Sequence, residues 1–170
     1  MRILLASPES DVWNSRQHIH MGLGYLAGAL RAHGYNFEIW DASIEEQFGS
    51  LADKLSRDPF DVVCLSAPTP LIVNAWEAAR TAKRCGAITI LGGPHLTLMP
   101  HESMEKDAVD LVVRGEAEYT IIEIMQALEK NIEIPQKTAQ YQPAGIKLPW
   151  RGRRNGKNCG CAFWSKSIPL

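Results

Sequence analysis

The chain has 170 residues, of which 45% are hydrophobic, with 18 basic and 19 acidic residues and a formal net charge of -1. That length suits one domain with a real core, and the even charge balance leaves no electrostatic footprint for nucleic acid. No apolar run approaches the ~20 residues that span a bilayer and the N-terminus MRILLASPES carries no signal-peptide pattern, so the expected compartment is the cytoplasm.

Strand-like and helix-like segments alternate. RILLA (2–6) is the first predicted strand; it ends at Ser7 and Pro8 and opens a loop of about a dozen residues, long for such a fold. Leu23, Leu26, Ala27 and Leu30 then form a helical stripe that Gly34 terminates. NFEIWD (36–41) is the second strand. Ile44, Phe48, Leu51 and Leu55 predict the next helix, opened by Ser43 with Glu46 at capping-box spacing. DVVCLSA (61–67) is the third strand, and Ile72, Ala75, Trp76 and Ala79 mark the helix that follows. AITILGG (87–93) is the fourth, with a short segment starting near Pro100. DLVVRG (110–115) is the fifth, and Ile121, Ile122, Met125 and Leu128 make the last strong helix.

Several of these strands are nearly continuous apolar runs, as strands covered on both faces are. Five strands alternating with helices predict an α/β domain, a flavodoxin-like (Rossmann-like) parallel sheet in the order 2-1-3-4-5 with helices on both faces. The domain is expected to span 1–132, and 133–170 to be an irregular tail or a truncated linker to a missing domain. That tail holds Pro135, Pro143, Pro149 and Pro169, a basic run from Arg151 to Arg154 and no sustained apolar face. Trp150, Phe163 and Trp164 could dock on the sheet or on a further domain.

In such sheets ligands bind beyond the carboxyl ends of the strands. Here those ends are Ser7-Pro8, Ser66-Ala67-Pro68-Thr69-Pro70, Gly92-Gly93-Pro94-His95 and Arg114-Gly115-Glu116: small residues, hydroxyls and prolines with few charges. Glycine admits close approach to the backbone and Ser or Thr hydrogen-bonds without bulk, so the edge suits a large, flat, mostly uncharged ligand. Turn chemistry alone also explains any one of these residues.

Familiar ligands fit less well. A phosphoacceptor site needs acidic residues where Ser7, Pro8 and Ser66 stand. A flavin mononucleotide site needs a glycine-rich phosphate loop, and SPESDVWN contains no glycine. Gly22, Gly24 and Ala27 match the dinucleotide pattern G-x-G-x-x-A, with Asp41 ending the second strand, but residues 8 to 21 separate the first glycine from strand one.

The stretches GLGYLAGALRAHGYNFEIWDA (22–42), DVVCLSAPT (61–69), ILGGPHLTLMP (90–100) and DLVVRGEAEYT (110–120) together resemble the N-terminal cobalamin-binding domain of cobalamin-dependent radical S-adenosylmethionine enzymes. The resemblance covers about residues 1 to 130 and rests most on GGPH followed by RGEAE. It implies a Rossmann-like domain that holds the corrin over the strand ends, with the nucleotide tail in the sheet edge. The implied cofactor-binding residues are Ser7, Gly22, Leu23, Gly24, Ser66, Pro68, Thr69, Pro70, Gly92, Gly93, His95, Gly115 and Glu116. Thr69 and Pro70 are the candidates for the lower face.

The D-x-H-x-x-G motif of the wider cobalamin-binding superfamily is absent; His18 and His20 lack its Asp and Gly. The resemblance therefore implies cobalamin without a protein histidine as lower ligand. His95 has two readings, a donor to the nucleotide tail or a cap for the following segment, and Glu116 reads equally as a residue favouring the helix dipole. Arg114 is read as an ion-pair partner of Glu116 or Glu118.

The radical chemistry of that family needs C-x-x-x-C-x-x-C, which this chain lacks; Cys159 and Cys161 cannot complete a cluster alone. The iron-sulfur cluster and S-adenosylmethionine are thus expected only in a missing domain or subunit, and the isolated chain is expected to bind without catalysing. Two other classes remain open: an NAD(P)-type dinucleotide domain using Gly22, Gly24 and Asp41, and a non-catalytic flavodoxin-like domain whose aromatic tail binds a partner protein.

Overall fold

The computed structural model describes residues 1–9, 20–42 and 49–132, and the backbone of 141–143. Five strands, β1 (Arg2–Ser7), β2 (Asn36–Asp41), β3 (Val62–Ser66), β4 (Ile88–Gly92) and β5 (Leu111–Val113), form a parallel sheet in the order β2-β1-β3-β4-β5. This is the predicted α/β sheet. A short strand β6 (Tyr141–Pro143) is added antiparallel to β5. Pro143 stands at the strand's end, opposite Leu111, on the outer edge where a missing N–H is tolerated. The remainder of 133–170, including Trp150, Cys159, Cys161, Phe163 and Trp164, lies outside the described residues, as do residues 10–19 with His18.

Parallel crossovers place helices on both faces, so successive strand residues must all be apolar. In β1, Ile3 and Leu5 pack under α1 (Met21–Ala32), while Leu4 and Ala6 face the opposite layer. The α1 side also holds Leu23, Ala27 and Leu30 and the buried stripe Ile121, Met125 and Leu128 of the last helix, Glu118–Glu129. Across the sheet, Leu51 and Leu55 join Ala75, Ala79 and Ala82 over Val63, Leu65 and Val112. The helix that carries these alanines also buries Ile72 and packs Trp76 against the same cluster.

Helix α1 ends as the sequence predicts. Gly34 takes φ 76°, its N–H donates to Arg31 O at 3.1 Å, and Tyr35 N donates to Leu30 O at 3.0 Å. Helix α2 (Leu51–Arg57) does not. The stripe from Ile44 predicts continuous helix from Ser43, but Gly49 has φ 101°, outside helical space. Ser50 is the actual cap: its hydroxyl accepts from Asp53 N at 3.1 Å, and the Asp53 carboxylate accepts from Ser50 N at 3.1 Å. Ser43 and Glu46 lie outside the described residues.

After β3 comes a 3-10 turn (Thr69–Leu71) and α3 (Ile72–Arg84). Two short helices follow β4: α4 (Pro94–Leu98), which the sequence reading left as a turn, and α5 (Pro100–Met104), the segment predicted near Pro100. Both open on proline, whose fixed φ suits a first helical position. Helix α6 is Glu118–Glu129; Glu116 lies before its N-cap Ala117 rather than in its first turn. No helix among the described residues is long and apolar enough to cross a membrane.

Candidate cobalamin-binding edge

Among the five parallel strands only β2 ends on a charged residue, the buried Asp41; β1 and β3 end on Ser7 and Ser66, and β4 on Gly92. Register sets Ser66 beside Gly92, and Ala67 N continues the ladder by donating to Gly92 O at 3.0 Å. The predicted turns after β3, β4 and β5 are therefore neighbours along one rim.

Gly93 closes this rim. Its φ is 105°, and a Cβ there would stand 3.0 Å from both Ala67 N and Ser66 Oγ. The absent side chain makes room for the β3 turn of this same chain. At Gly92 a Cβ would meet Val113 O at an ordinary 3.6 Å, and at Gly24 it would meet nothing within 4 Å.

Thr97 ties the next two turns together. Its hydroxyl donates to Gly93 O at 3.0 Å and accepts from Gly115 N at 2.9 Å, while Arg114 Nε donates to Thr97 O at 3.2 Å. The ion pair read for Arg114 is replaced by this backbone contact. Gly115 takes a φ of 71°, a left-handed conformation that favours glycine, and so turns the chain out of the rim after this hydrogen bond.

His95 is 3% exposed, and its Nδ1 lies 3.3 Å from Thr69 Oγ1. Nε2 stands 3.4 Å from Glu102 Oε2, but the geometry there is not that of a hydrogen bond, and the nitrogen is buried without one. His95 N also donates to Ala67 O at 3.3 Å, so the residue braces the β3 turn from below.

At the start of α1, His20 is the N-cap. Its Nδ1 accepts from Leu23 N at 3.4 Å and its Nε2 lies 3.3 Å from Ser66 Oγ. In the sequence His20 stands out only as lacking the Asp and Gly of a cobalt-ligand motif; its place just ahead of a helical stripe is the one local signal of a cap, and nothing local signals the link to Ser66. Gly22 is packed close to the ring, a Cβ there lying 3.2 Å from His20 Cε1. The Leu23 side chain is buried in the core under the sheet, whereas Gly22 and Gly24 sit exposed on the first turn. Pro70 and Thr69 are exposed, Pro68 is half-buried, and Glu116 is exposed. Leu98 at the end of α4 and Tyr119 at the start of α6 are 78% and 86% exposed, so the helices that follow the β4 and β5 turns each leave one large apolar side chain open.

The domain family described as B12 binding domain matches residues 15–125 of this chain. The chain belongs to the B12-binding domain family. An uncharacterized methyltransferase of Pyrococcus horikoshii is 34% identical over 142 residues, which are 79% of this chain and 31% of that protein. The anaerobic magnesium-protoporphyrin IX monomethyl ester cyclase of Cereibacter sphaeroides is 34% identical over 114 residues, 64% of this chain and 19% of that protein. The chain thus spans about a third or less of the length of these relatives. Among solved structures, the radical S-adenosylmethionine methyltransferase TsrM from Kitasatospora setae, with cobalamin and an iron-sulfur cluster bound, superposes with a TM-score of 0.67. That match covers 88% of this chain and 30% of TsrM at 18% identity, a likeness of fold.

The rim suits the cofactor of its family. It offers neutral hydroxyls and backbone groups, matching a corrin whose periphery is uncharged amides. Among the described residues no three His, Cys, Asp or Glu side chains are grouped to hold a metal ion. Cobalamin is the cofactor expected from the sequence, and the family bears this out.

Proposed function

We propose that this B12-binding domain serves a cytoplasmic cobalamin-dependent radical S-adenosylmethionine enzyme of the methyl-transfer type. The observation that carries the reading is the neutral rim itself, in which Ser66, Gly92, Gly93 and Gly115 are drawn side by side by Thr97 and the β3–β4 register. Cobalamin bound there would supply the cobalt chemistry of methyl transfer. The chain's own residues do the holding. Ser66, Pro68, Thr69 and Pro70 would face the lower side of the corrin, whereas Ser7 is buried at the end of β1. Gly92, Gly93, Gly115 and Glu116 would border the nucleotide tail, and the exposed Gly22 and Gly24 would border the ring from the α1 start, while Leu23, expected there from the sequence, turns its side chain into the core. His95 acts from beneath, through Thr69. Both ring nitrogens of His20 are engaged within the protein, which supports a cobalt with no protein imidazole below it.

The iron-sulfur cluster and S-adenosylmethionine belong, in this reading, to a separate domain or subunit. Incubating the full chain with hydroxocobalamin, desalting it and recording the visible spectrum tests the first part. A retained corrin band near one equivalent is expected, and a colourless protein fraction refutes it. Retention by Gly93→Val as strong as by the parent would also count against the rim, because the added side chain must push the β3 turn away.

A further inference from the structure

Thr69, His95 and Glu102 form a line of hydroxyl, imidazole and carboxylate running from the rim to the outer face of α5. Thr69 is exposed at the rim, His95 is buried, and Glu102 is 44% exposed on the far side. The two distances are 3.3 Å from Thr69 Oγ1 to His95 Nδ1 and 3.4 Å from His95 Nε2 to Glu102 Oε2.

These distances decide where the ring proton sits. If Nδ1 carried it, the lone pair of the buried Nε2 would face the Glu102 oxygen at 3.4 Å with nothing positive between them. Solvent at the half-exposed carboxylate screens that repulsion in part, but its sign still disfavours this tautomer. With the proton on Nε2 the same contact becomes attractive even without good hydrogen-bond alignment. Nδ1 is then an acceptor, and its partner at 3.3 Å must donate, so the single hydroxyl proton of Thr69 is spent on His95. What Thr69 has left to offer outward is lone pairs.

We propose that Glu102 and His95 are positioning residues that fix Thr69 Oγ1 as an obligate hydrogen-bond acceptor, aimed at an amide N–H on the corrin periphery. The ligand half rests on the cobalamin reading above; the proton placement does not. The assignment also separates two ligand chemistries. A carboxylate or phosphate at this point would meet only an acceptor and be disfavoured, while a neutral primary amide supplies the missing donor.

Two measurements on the full chain test this. The first is the two-bond nitrogen–proton correlation spectrum of the His95 ring at neutral pH without ligand. A protonated Nε2 with a bare Nδ1 is expected; a protonated Nδ1, or a ring carrying both protons, overturns the proposal. Glu102→Ala should let the other tautomer appear, and an unchanged spectrum would show that the carboxylate does not set it. The second is titration with hydroxocobalamin. Thr69→Val should weaken retention roughly five- to tenfold and Thr69→Ser should restore it, the change expected for one lost hydrogen bond in a buried contact. Equal affinity for Thr69→Val and the parent overturns the acceptor role. If the parent takes up no corrin while His95 shows the expected tautomer, the cofactor reading fails and the proton placement stands, so the two failures are told apart.

Discussion

The two ends of the sheet are built differently. At the amino end charges meet one another: Arg2 Nη2 donates to Glu38 at 2.5 Å, and Lys54 Nζ bridges Glu38 at 2.7 Å and Asp58 at 2.8 Å. Arg2 N donates to Asp61 at 2.7 Å, and the Arg2 guanidinium lies 4.8 Å from the centre of the Phe60 ring. One strand over, the buried Asp110 carboxylate takes Thr89 N at 2.9 Å, the Thr89 hydroxyl at 3.1 Å and the Lys83 ammonium. At the carboxyl end the ties are mostly neutral, Thr97 to Gly93 and Gly115 and His95 to Thr69, with the Arg114 guanidinium donating to a backbone carbonyl rather than to a carboxylate. A closed ion-pair network satisfies its own members and has nothing left for a ligand. Neutral hydroxyls and turn backbone hold the loops while keeping spare lone pairs and N–H groups at the surface.

The contrast can be broken from either side. The largest effect is expected at Gly93→Ala, where a left-handed φ and a Cβ 3.0 Å from Ser66 and Ala67 combine to cost about 3 kcal/mol. Urea unfolding should show the loss, and the folded fraction should bind cobalamin poorly. Asp110→Ala comes next: it strands the Thr89 N–H in the interior, while the Thr89 hydroxyl keeps Ala108 O as an acceptor, and should cost about 2 kcal/mol. Its cobalamin affinity should match the parent at temperatures where both are folded, because the damage lies at the amino end. A matched loss of affinity would mean that the two ends are coupled.

A smaller effect is the acid slope of stability. The hydrogen bond from Lys54, helped by Arg2, holds the Glu38 carboxyl below its usual range, and Lys54 does the same to Asp58. In the window between the depressed and ordinary values the unfolded chain binds more protons, so stability rises with pH there and falls as pH drops through the folded values. Lys54→Met should flatten this slope in melting temperature measured from pH 6 down to pH 3. The Lys54 ammonium is itself raised by Asp58 and Glu38, so its own contribution is lost only above its ordinary range, at alkaline pH. The smallest effect is chemical. Burial pushes the Cys64 thiol up to about 12, so at pH 8 a maleimide should label the exposed Cys85 and spare Cys64 until the protein unfolds, as peptide mass mapping would reveal.

Much of this was readable from local pattern. Short strand-like segments of five to seven residues, several of them nearly continuous apolar runs, marked all five parallel strands, and their alternation with helical stripes implied the strand order. The stripe from Leu23 to Leu30 and the glycine after it described α1 down to its last turn. The stripe from Ile44 to Leu55 does not run on as one helix, because periodicity counts apolar spacing and does not register that Gly49 leaves helical space. Ser50 with Asp53 had the same capping spacing as Ser43 with Glu46, and only the backbone at Gly49 separates them.

The rim was legible as a list and not as an arrangement. Ser66, Gly92, Gly93 and Gly115 follow from where strands end, yet nothing local says that Thr97 joins two turns or that His20 reaches Ser66, 46 positions away. His95 stood in the sequence as a ring with two readings, cap or ligand; its burial between Thr69 and Glu102 adds a third, a brace that governs another residue's hydroxyl. Periodicity and turn chemistry are short-range properties, so the chain by itself determined its strands, most helix limits and the uncharged character of one edge. Hydrogen-bond direction and the closeness of Gly93 to the β3 turn depend on which turns the sheet register sets side by side, and that was decided only when the strands paired.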